Sequence, residues 1–136
     1  MKTTQSIIKL LTIMTSCCIL LSCHSGPYNL DAFIIKVDSI HVPTVIPSNT
    51  SFDIEFFGTI GTNGCYSFGE FLQTSANNDI TIEAWGNYDS KAIVCATVMV
   101  YLSGHKKNMT IPTPGIYNIK IKQPDNNYLV RQITVN

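Results

Sequence analysis

Hydrophobic and polar positions follow two different rules along this chain. Leu10–Leu21 is a nearly continuous apolar run diluted only by Thr and Ser, behind a start that carries Lys2 and Lys9 and no acid. After Leu30 the pattern breaks into short stretches with a period of two, the repeat of strands that bury one face. "AFIIKVDSIHV", Ala32–Val42, predicts a first strand, stopped by Pro43 and Pro47. In "SFDIEFFGTI" Phe52, Ile54 and Phe56 alternate with Asp53, Glu55 and Phe57, and "CYSFGEFLQ" follows a Gly-rich bend. Asn63-Gly64 in that bend is a tight-hairpin signal, which predicts that the second and third strands pair in one sheet. "DITIEAWG" sets Ile80, Ile82 and Ala84 on one side and Thr81, Glu83 and Trp85 on the other.

"AIVCATVMVYL", Ala92–Leu102, is apolar on both faces and predicts a central strand. A run of that length also suits a buried helix, but Val94, Val98 and Val100 favour the strand because β-branching restricts χ1 in a helix. Finally, "GIYNIKI" and "YLVRQITV" flank Pro124-Asp125-Asn126-Asn127 as a hairpin. Seven short strands with no amphipathic helix predict an all-β, seven-stranded sandwich.

The leading segment reads as a secretory signal peptide, a basic start followed by an apolar stretch and small residues. Crossing a bilayer takes roughly 20 apolar residues, and the run between Lys9 and Cys23 is shorter. Its end, Leu20-Leu21-Ser22-Cys23, resembles the lipobox of bacterial lipoproteins. The resemblance implies cleavage before Cys23, a diacylglycerol on its thiol and a further acyl chain, such as palmitate, on the freed amine. Two or three chains hold a protein to a membrane where one holds it marginally. The expected organisation is a signal peptide over residues 1–22, lipidated Cys23 with a short linker over 23–30, and a β-sandwich over 31–136. His24 follows Cys23, with neither an aspartate nor an acidic run behind it. Against lipoprotein sorting signals this implies the cell envelope, at the periplasmic face of the outer membrane.

Charge and cysteines sharpen that picture. Nine basic and nine acidic side chains balance, and loss of Lys2 and Lys9 leaves a 114-residue mature chain at −2. One domain of that length can bury a core, and without a basic field nucleic acid is excluded as a partner. Of five cysteines, Cys17 and Cys18 leave with the signal and Cys23 carries lipid. Cys65 and Cys95 remain in an oxidising compartment, where a disulfide is the natural reading and two free thiols the alternative.

Pro114-Gly115-Ile116-Tyr117-Asn118-Ile119 resembles the tyrosine corner of immunoglobulin-like and fibronectin-like domains. The resemblance implies that Tyr117 is the corner residue and that Ile119 stands where antibody domains place a cysteine. More broadly the chain is similar to small envelope lipoproteins of Bacteroidota, judged by the lipobox, the Asn-rich turns and the "GCYSF" then "C" pattern.

Catalytic signals are few, and the expectation is a protein that is not an enzyme and takes no cofactor or metal. No Ser stands in a Gly-x-Ser-x-Gly elbow. His24, His41 and His105 lack zinc-ligand spacing. Asp53 and Glu55 share the polar side of their strand, where solvated charges belong. The leading expectation is a membrane-anchored, non-enzymatic module that binds an envelope protein. Strand counting puts the linker and the cysteines at one end of the domain. Loops 43–50, 73–78 and 103–114 then fall at the other, with His105, Lys106 and Lys107 as a basic binding cluster. The alternative is a carbohydrate-binding or adhesin-like module, because sugars stack on aromatics and Trp85 and Tyr88 lie near Glu83 and Asn87. A protease inhibitor is a smaller alternative.

Overall fold

The computed structural model describes residues 30–136; the signal segment, Cys23, His24 and the linker through Asn29 lie outside the described residues. The described residues form ten strands. They are β1 (Leu30–Ile34), β2 (Val37–His41), β3 (Val45–Ile46), β4 (Ser51–Gly61), β5 (Tyr66–Ala76), β6 (Asp79–Asp89), β7 (Val100–Tyr101), β8 (Lys106–Thr110), β9 (Gly115–Lys122) and β10 (Tyr128–Val135).

A six-stranded sheet is built around β6. One edge of β6 takes β5 along its whole length, and the other takes β1 beside Trp85–Asp89 and β9 beside Asp79–Ile82. Beyond β9 come β10 and then β3, which runs parallel to β10. The second sheet centres on β4, with β2 on one side and β8 and β7 on the other.

The apolar sides of both sheets meet in one core. Ile54 and Phe56 from β4 oppose Ile82, Ile119, Ile121 and Ile133, all at most 1% exposed. Phe56 packs on Phe71 of β5 with ring centroids 4.4 Å apart. Phe68 and Phe71, three apart, both reach this interior because Gly69 is an extra residue in β5, a bulge that shifts the register against Gly86 and Trp85. Tyr117 is buried, and its hydroxyl donates to the carbonyl of Thr113 at 2.9 Å. The β9–β10 turn is the expected Pro124–Asn127 hairpin, with Asn126 in the left-handed region at φ 62°. Asn tolerates that region better than most residues.

Three sequence expectations are corrected. The first predicted strand is two, because the chain crosses between sheets at Ile35-Lys36, where buried Ile35 donates its N–H to the carbonyl of Ala84. Asn63-Gly64 does not close a hairpin: β4 and β5 belong to different sheets and the segment bridges them. There Asn63 Oδ1 accepts from the Cys65 N–H, and Gly64 donates to Ala96. The central strand over Ala92–Leu102 is absent, and only Val100–Tyr101 pairs, with Gly61 and Thr59 of β4. The rest is a surface excursion, and no neighbouring strand offers it a ladder. With these splits, and with β3 and β8 in stretches read as loops, the strand count among the described residues is ten rather than seven.

Candidate functional site

The outward side of the six-stranded sheet is set by which residues of β6 do not face the core. Asp79, Thr81, Glu83, Trp85 and Asn87 take that side because Ile80, Ile82, Ala84 and Gly86 are buried. Register then places Lys120 and Asn118 beside Thr81 and Asp79, with Val130 and Gln132 in the next strand. Across the other edge lie Glu70, Leu72 and Thr74, opposite Trp85, Glu83 and Thr81.

Polar pairs hold this surface in order. Glu83 accepts from Lys122 Nζ at 2.8 Å and from Trp85 Nε1 at 2.9 Å. Asp79 accepts from Asn118 at 2.8 Å and from Lys120 at 3.1 Å. The ammonium of Lys120 also stands 5.1 Å from the centre of the Tyr128 ring, within range of a cation–π attraction. The Lys122 hydrogen bond, then the Trp85 N–H, hold the Glu83 carboxyl below its ordinary pKa. Asn118 and Lys120 do the same for Asp79, and Glu83 raises Lys122 in turn. Each donor stabilises the charged carboxylate.

Beside Trp85, the Gly69 bulge opens a shallow depression of about 380 Å³ lined by Ala32, Gly69, Glu70, Trp85 and Asn87. Gly69 fits closely there, since a Cβ would lie 3.0 Å from both Asn87 Nδ2 and the Trp85 carbonyl oxygen. A larger hollow of about 570 Å³ lies at the β9–β10 turn, between Lys36–Asp38 and Gln123–Leu129.

The exposed large hydrophobic side chains sort into two groups. Leu30, Val45, Leu72, Ile116, Tyr128 and Val130 are exposed, and register puts all six on the outward side of the six-stranded sheet with Trp85. The other five, Ile93, Val94, Val98, Met99 and Tyr101, belong to the excursion between β6 and β8. The second sheet's outward side instead carries Asp53, Glu55, Ser39, His41, Lys106 and Asn108.

Several sequence-predicted residues are placed elsewhere than expected. Trp85 and Tyr88 are not side by side, because an odd offset along a strand sends them to opposite faces. Trp85 faces outward, whereas Tyr88 stacks inside on Tyr66 with centroids 4.7 Å apart. That signal was available in the spacing alone. His105, Lys106 and Lys107 do not form a loop cluster. His105 ends a short turn and stacks on Phe68 at 4.2 Å. The lysines open β8, where Lys106 shares the outward side with Glu55 and Lys107 the inward side with Ile54. Asp53 accepts from Asn108 at 2.7 Å on the surface.

Cys65 and Cys95 do form a disulfide, with Cα atoms 5.2 Å apart. Among the described residues no group of three or more His, Cys, Asp or Glu is placed to hold a metal ion. The residues that sequence reasoning missed are Leu72, Lys120, Lys122, Tyr128 and Val130, whose common face with Trp85 exists only through the pairing of β5 and β9 with β6 and of β10 with β9. No protein-family model matches the chain, and neither does a curated protein or a solved structure.

Proposed function

We propose that this chain is an exported lipoprotein, anchored in the bacterial cell envelope through acylated Cys23, whose domain is a non-enzymatic protein-interaction module of immunoglobulin-like type. The lipobox supports the anchor, and the Cys65–Cys95 disulfide fits an oxidising compartment. The immunoglobulin-like reading draws on the bond from Tyr117 to Thr113, on β4 and β5 lying in different sheets, and on Ile119 in the core.

One observation carries the interaction role: six exposed large hydrophobic side chains and Trp85 share the outward side of one sheet, interleaved with the ordered Glu83–Lys122 and Asp79–Lys120 pairs. Apolar and aromatic side chains with fixed charges between them are what a protein interface offers, the first for burial and the second for register. A photo-reactive amino acid at Leu72 or Val130, in the native membrane-bound protein, should capture one envelope protein. The same group at His41, on the other sheet, should capture none. Lys120→Glu should abolish the Leu72 adduct. Equal adducts from positions 72 and 41 contradict this binding face.

A carbohydrate is the second reading, favoured by Trp85 bordering a depression lined by Asn87 and Glu70. Glycan binding that is lost in Trp85→Ala, with no protein adduct at Leu72 or Val130, selects it.

A further inference from the structure

The excursion between β6 and β8 is the second place where apolar side chains gather in water. Ala92–Tyr101 contains no charged residue, and within it Ile93 is 99% and Val94 84% exposed. This is not a slack loop. The disulfide ties Cys95 to Cys65, Gly64 N–H donates to the Ala96 carbonyl at 2.8 Å, and Val98 N–H donates to the same carbonyl at 2.9 Å. At its start, Asp89 Oδ1 accepts from the Lys91 N–H at 3.1 Å. Aliphatic side chains fixed outward by a covalent strap are exposed by construction, and such exposure calls for an apolar partner.

The position of the excursion says which partner. Leu30, where the chain enters the domain, pairs with Asp89. The Asp89 N–H donates to the Cys65 carbonyl at 3.0 Å, and Cys65 is bonded to Cys95. Steps of about 5 Å across paired strands put the entry point within roughly 16 Å of Cys95. His24–Leu30 is seven residues and spans at most about 25 Å. An anchor at Cys23 therefore keeps the chain entry within about 25 Å of the bilayer, while the loops at Ser48–Thr50, Ala76–Asn78 and Ile111–Pro114 lie at the opposite end of the domain.

The geometry points to a lipid surface as the partner: Ile93 and Val94 insert into the interfacial region of the membrane that carries the anchor. The inference rests on the reading of Cys23 as the lipidated residue. A short apolar tip inserted beside an acyl chain adds a second, weak hold, and together they fix the domain's orientation where the anchor alone would let it swivel.

The test places the only tryptophan at the tip, Ile93→Trp in a Trp85→Phe background, with Pro112→Trp in the same background as the distal reference. Full-length protein carrying its native anchor is reconstituted in vesicles of phosphatidylethanolamine and phosphatidylglycerol containing acyl-brominated lipid. The tip should be quenched by bromine and about fivefold less accessible to iodide than the reference, as for a side chain below the headgroups. Val94→Glu should remove both effects while the protein stays on the vesicles. A tip as open to iodide as position 112 overturns the inference, as does shielding that persists without lipid. Shielding without lipid that is lost on dilution would identify a second copy as the partner, and shielding that survives dilution would identify the chain's own linker, residues 24–29. If the protein proves unanchored, the same vesicles are added to the soluble chain. Tip quenching then retains the insertion and discards the anchor, and its absence overturns both.

Discussion

Glu83 orders the outward surface around Trp85, because Lys122 and Trp85 each hydrogen-bond to one of its two oxygens. Its folded pKa lies below the ordinary carboxylate value, so the stability it contributes is fully present above about pH 4.3. That contribution is lost as pH falls through the depressed folded value. Lys122 is shifted the other way, so its share is fully present below about pH 10.4 and is lost as pH rises through the raised value. Trp85 is the only tryptophan in the chain, and its fluorescence reports on this carboxyl directly. Acid titration should change its emission at a pH below the ordinary range for glutamate. Glu83→Gln, which keeps an oxygen for the indole N–H, should abolish that step and flatten the acid loss of thermal stability. An emission step unchanged in the variant would separate Trp85 from Glu83.

Among the elements, the excursion after β6 depends most on one covalent bond. Few backbone hydrogen bonds hold Ala92–Met99, and its aliphatic side chains bury little. Cys65 and Cys95 are separated by 30 residues, and closing a loop of that length stabilises a fold by about 3 to 4 kcal/mol in the chain-entropy model. Paired Cys65→Ser and Cys95→Ser substitutions should lower the unfolding free energy by an amount of that order, measured by chemical denaturation. They should also create a protease cut between Ser90 and Met99 while β4 and β5 stay intact. A cut elsewhere would mean that the strap supports the sheets rather than the excursion. The apolar content of this segment was legible, and its fate was not. Hydrophobicity reports a preference for leaving water, not which neighbour supplies the ladder, and β4 pairs with only Val100 and Tyr101 before turning to β8.

For the whole molecule, topology holds the chain entry at Leu30, the apolar tip at Ile93 and Val94 and the Trp85 face in a fixed relation. The strap and the chain entry share one end, the loops around Asn49, Asn77 and Pro112 the other, and the Trp85 face lies along the flank between them. Cys23→Ala should move the protein from the membrane to the soluble fraction, with only the weak hold of the tip left to retain a minority. Fractionation that leaves the variant wholly in membranes contradicts lipid attachment at Cys23. The parallel pairing of β6 with β9 also belongs to this scale. Parallel neighbours need a long crossover, and residues 90–114 make it through β7 and β8 in the second sheet.

By itself the sequence determined what depends on near neighbours. Alternation in 51–60, 79–86 and 115–121 set strands and their buried sides, because side chains of a strand alternate by covalent geometry. Pro124–Asn127 set a hairpin through local turn preferences. Cys65 and Cys95 set a pair, because they are the only two cysteines among the described residues. Tertiary structure alone decided what depends on distant partners. It divided Ala32–Val42 between two sheets, and it sent the Asn63-Gly64 segment across the core rather than around a hairpin. It split Lys106 from Lys107 across the faces of β8, left Ile93 and Val94 in solvent, and brought Lys120 to Asp79 and Lys122 to Glu83. Each of these is a choice among neighbours of similar local chemistry, made by which arrangement buries the most apolar surface with every backbone ladder satisfied.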